Sequence, residues 1–248
     1  MSHAEPGADP PVVAVVQHTA DCPPGRVGEW LATQGCRLEV FGCFTGDGLP
    51  TSVEPYDALL VLGGEMGAYD DATHPWLPAT RALLAEAVAA GLPTLGICLG
   101  MQLLAVACGG RVAPGPEPQL GIRRVEPTAA AAGDPLLGRL PDPAYAVHWN
   151  NDLVLEPPPG AAVLATSAGT VQALRQGEAA WGVQFHPEVD PATLRRWADA
   201  DVAAGVLAAG PATRRLAEVA DRDAEQAVVW RDLTTRFAGL LTRRRTAA

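Results

Sequence analysis

The chain has 248 residues, with 18 basic against 28 acidic side chains and a formal net charge of −10. All 18 basic residues are Arg. Without a Lys there is no Schiff-base lysine and no lysine-bound pyridoxal phosphate, no P-loop and no kinase-type strand Lys, and the acidic balance argues against a nucleic-acid binder.

Residues 1–10 are polar and Pro-rich and read as a frayed tail. No basic n-region precedes Pro11, so no signal peptide is expected. Val12–Val16 is a β-branched apolar run, the pattern of a central parallel strand. Gly28–Gly35 reads as part of a helix with a Gly end, and Arg37–Phe41 as a second strand. Ala58–Leu62 is an apolar strand stopped by Gly63-Gly64. Pro75–Ala90 has Leu83, Leu84, Ala87 and Val88 at helical spacing and Gly91 at its end. Thr94–Ile97 is a buried strand, and Leu99–Ala107 a helix closed by Gly109-Gly110. The uncharged stretch Ala87–Gly110 is broken by Pro93 and several Gly, so it reads as strand plus helix and not as a membrane span.

Strands alternating with helices predict an α/β fold: a flavodoxin-like, doubly wound, mostly parallel sheet. The middle of the chain is rich in Pro and Gly. Short strands are expected there at Ile122–Val125, Tyr145–Trp149, Ala162–Thr166, Thr170–Leu174 and Ala180–Phe185, as antiparallel additions. From Pro191 the pattern is helical. The stripe Val229, Leu233, Phe237, Leu240 and Leu241 suggests a helix docked on its own domain. The expected organisation is a tail (1–10), one domain (11–190) and a helical C-terminal extension (191–248) packed on it.

The five Cys are Cys22, Cys36, Cys43, Cys98 and Cys108, an odd number without a C-x-x-C pair. That argues against a disulfide framework and a structural zinc site, and for a reducing, cytoplasmic setting. Four of them read as buried core thiols. Cys98 differs: Gly96-Ile97-Cys98-Leu99-Gly100 has the spacing of a nucleophile elbow, with Cys in place of Ser. Such a turn strains the central residue and seats its thiol at a helix N-terminus, where the dipole favours thiolate. Backbone N–H groups there can receive an oxyanion.

A thiolate needs a base, and the base an orienter. In Phe185-His186-Pro187-Glu188, His186 and Glu188 lie two apart at a strand end, so their side chains leave on one side. Glu188 can hold one imidazole nitrogen while the other faces the thiol. His3 lies in the tail, and His18 and His74 have no partner pattern.

Together, Gly96-x-Cys98-x-Gly100-x-Gln102 and Phe185-His186-Pro187-Glu188 resemble the class I (triad) glutamine amidotransferases, especially stand-alone domains similar to the amidotransferase half of GMP synthetase. Leu62-Gly63-Gly64, Gly67–Asp71, Pro75–Leu77 and His148–Asp152 add to the likeness, which runs from about Val12 to Val189. The resemblance implies hydrolysis of a glutamine side-chain amide through a γ-glutamyl thioester, releasing ammonia and glutamate. Cys98, His186 and Glu188 would form the triad. The N–H groups of Gly64 and Leu99 would form the oxyanion hole, and Gly63, Gln102, His148, Trp149 and Asn150 would contribute to the substrate pocket.

No cofactor, metal, nucleic acid or membrane is implied, and the resemblance leaves room for a separate synthetase or acceptor subunit as partner. Glu65 departs from the family pattern, which often has Pro there, and Asn150 and Asn151 stand where Gly is common. Hydrolysis of another γ-glutamyl amide or peptide fits the same triad. A non-catalytic binding or regulatory subunit of the same fold is the reading from another class.

Overall fold

The computed structural model describes residues 9–46 and 48–247. The frayed tail expected at 1–10, and His3 with it, lies almost wholly outside the described residues.

Among the described residues, one nine-stranded sheet runs through the molecule. Strands β1 (Val12–Gln17), β2 (Arg37–Gly42), β3 (Ala58–Val61), β4 (Thr94–Ile97) and β9 (Ala180–Val183) are mutually parallel, in the order β2-β1-β3-β4-β9. Beyond β9 the pairing turns antiparallel through β8 (Thr170–Gln176), β7 (Ala162–Ser167), β5 (Arg111–Pro127) and β6 (Ala144–Glu156). The α/β fold with antiparallel additions is therefore as expected.

Period-two alternation divides the core into two faces. Val13, Val15, Leu60, Leu95 and Ile97 pack against helix α1 (Gly25–Thr33) and the last helix, α6 (Asp223–Ala247). Ala14, Val16, Leu59 and Val61 pack against α2 (Leu77–Ala89) and α3 (Leu99–Ala107). A third cluster joins α4 (Pro191–Ala203) and α5 (Ala209–Asp221) to Val147 of β6. Helix α6 lies against the first of these faces. Trp230, Leu233, Phe237 and Leu241 are buried, each contributing roughly 1.5–3 kcal/mol as an upper bound. Arg26 of α1 also pairs with Asp223 at 2.7 Å.

Strand β5 corrects the reading of the middle segment, where only Ile122–Val125 was expected. It runs from Arg111 to Pro127, with its pairing to β6 interrupted between Pro114 and Gln119. Pro114, Pro116 and Pro118 argue locally against a strand, because Pro cannot donate to a ladder. Here they border and fill the unpaired bulge, where no ladder bond is needed. Among the described residues, no helix is long and apolar enough to cross a membrane.

Candidate active site

The carboxyl ends of β1, β3, β4 and β9 open on one crevice, the usual ligand position in an open α/β sheet. Cys98 directly follows β4 and caps α3, with φ 52° and ψ −107°. A non-Gly residue in this left-handed region is strained. It is fixed by its own N–H donating to Val183 O at 2.8 Å and its carbonyl accepting from Gln102 N at 3.1 Å. The flanking Gly residues are required by close approach. A Cβ on Gly96 would meet the Gly100 backbone at 2.6 Å, and one on Gly100 would strike Val61 O.

Beyond β9 the chain is held by Gln184 N donating to Gln172 O and His186 N donating to Val147 O, both at 2.8 Å. His186 and Glu188 are each 3% exposed, and their side chains meet at 2.7 Å between Nδ1 and Oε1. Burial alone would lower the imidazole pKa. The charge of Glu188 and then that of the neighbouring Cys98 outweigh it and hold the pKa up at about 10. Nε2 is buried with no aligned hydrogen bond in this resting geometry. Gly63 lies against both partners: a Cβ there would sit 3.3 Å from His186 Cε1 and 3.6 Å from Cys98 Cβ.

Two cavities meet at Cys98. The larger, about 470 Å³, is lined by Gly64, Gln102, Trp149, Asn150 and Asp152 among others. The smaller, about 140 Å³, adds His186, Trp197 and Asp21 to five residues that line both cavities: Gly64, Glu65, Cys98, Trp149 and Asp201.

The sequence profile of glutamine amidotransferase class-I matches residues 29–197. The chain belongs to this family. Its relatives include a glutamine amidotransferase-like protein, YfeJ, of Salmonella typhimurium, 30% identical over 66% of this chain and 70% of that one. A GMP synthase of Thermomicrobium roseum is 37% identical over 53% of this chain and 23% of its own length. A gamma-glutamyl-L-1-hydroxyisopropylamide hydrolase of a Pseudomonas species is 31% identical over 54% of this chain and 48% of its own. The chain thus spans less than half of either of these last two proteins. Among solved structures, a glutamine amido transferase from Methylobacillus flagellatus superposes with a TM-score of 0.79 at 30% identity, covering 93% of each chain.

Within this amidotransferase domain, the residues singled out from sequence fall in different places. Gly64, Gln102, Trp149 and Asn150 line the larger cavity together with Cys98. Leu99 begins α3 behind Cys98, so its N–H has no acceptor within the helix. His148 is not among the lining residues. It is fully buried, 2.8 Å from Gln172 Oε1 and 3.1 Å from Ala146 O. Burial, ahead of its other neighbours, lowers its pKa to about 4. His148 and Trp149 leave opposite faces of β6; Asn150 shares the face of His148 but reaches the cavity, whereas the His148 ring is closed off by Gln172. Through Gln172 and Gln119, His148 buttresses Asn150 from behind.

Several residues of the site had no sequence signal. Gln184 donates to Cys98 Sγ at 3.6 Å and accepts from Gln102 at 3.3 Å, which ties elbow to strand end. Its place one residue past β9 and two before His186 is the one cue. Trp197 of α4 stacks edge-on against His186 at 4.9 Å between centroids, and its Nε1 donates to Asp21 O at 2.8 Å. Helix α4 starts there because Asp190 caps it, accepting from Thr193 N, with Pro191 at the first position. His18 is buried beside Gly64, accepts from Trp76 Nε1 at 3.1 Å, and has a pKa lowered to about 4, mainly by burial.

Proposed function

We propose that the chain hydrolyses the side-chain amide of glutamine or a related γ-glutamyl compound through Cys98, His186 and Glu188. The observation that carries this reading is the strained, helix-capping Cys98 beside an imidazole whose far nitrogen is held by a buried carboxylate. The raised pKa of His186 favours an imidazolium–thiolate pair at rest. Cys98 Sγ attacks the amide carbon, and the carbonyl electrons move to oxygen. The N–H groups of Gly64 and Leu99 receive that oxyanion. The intermediate collapses with cleavage of the C–N bond, and His186 gives its proton to the departing nitrogen. Neutral His186 then takes a proton from water, which attacks the thioester. The second tetrahedral intermediate expels the Cys98 thiolate, the acid product leaves, and the imidazolium–thiolate pair is restored.

Gln184 supports the mechanism by donating to the sulfur, and Glu188 by keeping the imidazole turned. Glutamate is the product in every case, and the amine released is ammonia or a substituted amine according to substrate.

The test is glutamate release from glutamine and γ-glutamyl amides, with intact-mass detection of the acyl-enzyme after acid quench. Cys98→Ala is expected to abolish both signals while melting near the wild-type temperature. Turnover retained in Cys98→Ala, or an adduct on another Cys, would refute the assignment.

A further inference from the structure

Building on the γ-glutamyl reading above, we propose that the preferred substrate is the γ-glutamyl amide of a cationic aliphatic amine, a diamine or polyamine joined to glutamate through one nitrogen. His186 hands its proton to the leaving nitrogen, so the amine occupies the lobe that His186 lines. That lobe is walled by the rings of Trp149 and Trp197, with Asp21, Glu65 and Asp201 around it. Aromatic walls suit methylenes and the face of an ammonium ion, and carboxylates suit its charge. Asp201 Oδ2 accepts from Trp149 Nε1 at 2.9 Å, which fixes this carboxylate against the ring. Glu65 has no hydrogen bond or ion pair among the described residues and is exposed, so the lobe opens to solvent on an acidic rim.

The opposite lobe takes the glutamyl head and carries an independent sign of a cationic group. Asn150 is 8% exposed, and its Nδ2 donates to Gln119 Oε1 at 3.4 Å and Asp152 O at 3.1 Å. Those two acceptors fix the amide orientation. Asn150 Oδ1 is left buried without a partner, in a residue that lines the cavity. A lone acceptor beside Asp152 fits the α-ammonium of a glutamyl group. Asp152 is itself held above the usual carboxylate range by burial and by the charge of Asp70 across the same cavity, a repulsion that a cation relieves.

Neither lobe has an Arg among its lining residues, and the chain has no Lys. Among the described residues His186 is thus the one basic side chain lining either lobe, against Asp21, Glu65, Asp70, Asp152 and Asp201. Among the described residues no three carboxylates, Cys or His gather closely enough to hold a metal ion. Charges spread this way match an extended organic cation better than a point ion. A carboxylate-bearing amine would be repelled from the same walls.

The test compares kcat/KM for four substrates: γ-glutamyl-1,4-diaminobutane, its neutral isostere γ-glutamylbutylamine, γ-glutamyl-4-aminobutyrate, and glutamine. The cationic amide is expected to lead the neutral one by on the order of tenfold, the product of two or three partly screened charge contacts. The anionic amide is expected to come last, and the lead to shrink as salt rises. Asp201→Asn, which can still accept from Trp149, and Glu65→Gln should each lower the cationic-to-neutral ratio. Glu65→Arg should shift preference towards the anionic amide. Calorimetry with Cys98→Ala and the same amides separates binding from chemistry. If neutral and cationic amides are cleaved and bound alike, or glutamine leads, the charge assignment falls while the amidohydrolase reading stands. If no amide is cleaved and none binds, both fall together.

Discussion

Gly25 is the residue whose replacement most directly tests how the fold holds the proposed triad. It opens α1 with φ +48°, and Arg26 N donates to Glu188 O at 2.9 Å just beyond it. A Cβ on Gly25 would land on the Glu188 carbonyl oxygen, closer than any real Cβ contact. Ordinary contact begins near 3.4 Å, so Glu188 and α1 must part by about an ångström, a displacement that can cost about a hundredfold in rate. The left-handed backbone adds roughly 1–2 kcal/mol for Ala, and weakening the Arg26 bond about 1 kcal/mol. Together these lower Tm by roughly 5–10 °C for a chain of this length.

Gly35→Ala is the matched control. Gly35 has φ +83° with nothing within 4 Å of an added Cβ, so it carries strain without a clash. Initial rates on a γ-glutamyl amide and thermal melts are expected to show a lower Tm for both variants. Only Gly25→Ala should lose kcat. Wild-type kcat in Gly25→Ala, with a Tm no lower than that of Gly35→Ala, would refute the idea that α1 anchors Glu188.

Two other outcomes are expected. His186→Asn should reduce kcat nearly as far as loss of the thiol and Glu188→Gln less, with the double variant barely worse than His186→Asn because the pair acts as a unit; additive losses in steady-state rates would separate the two roles. The His186 pKa is raised on folding, so its stabilising contribution is whole below about 6.5 and is lost as pH rises towards about 10. Denaturant melts across that range should show the alkaline loss in the wild type and a flatter profile in Glu188→Gln.

The parts of the site that could be read from sequence are those with short-range signatures. The Gly96-x-Cys98-x-Gly100 spacing works because each Gly answers a contact within one strand–turn–helix unit. His186 and Glu188 meet because strand period is local. Gln184 looked like one more residue of an apolar strand end, and only the folded chain brings its amide to Cys98 from 86 residues away in sequence. Gly25, Trp197 and Asp201 act on the site through packing between distant elements, which leaves no periodic mark. His148 shares a motif with Trp149 and Asn150, but Gln172 and the Ala146 carbonyl close its ring off in the interior, contacts that no motif announces. Strand β5 was underestimated for the opposite reason: a real local signal, Pro, was absorbed by a bulge.

In the proposed mechanism, helix α4 carries Trp197 and Asp201 to the amine side of Cys98, whereas the reacting groups come from the ends of β4 and β9. Bond breaking and amine choice are therefore written in different stretches of the chain. Substitutions along one exposed helix face and the adjoining loop can retune which amine is released while the elbow and its imidazole stay untouched. An engineer seeking a new γ-glutamyl specificity would begin at Ala200, Asp201 and Val206, which line the two cavities, and leave Trp197, which touches His186, and the buried Ala198 in place.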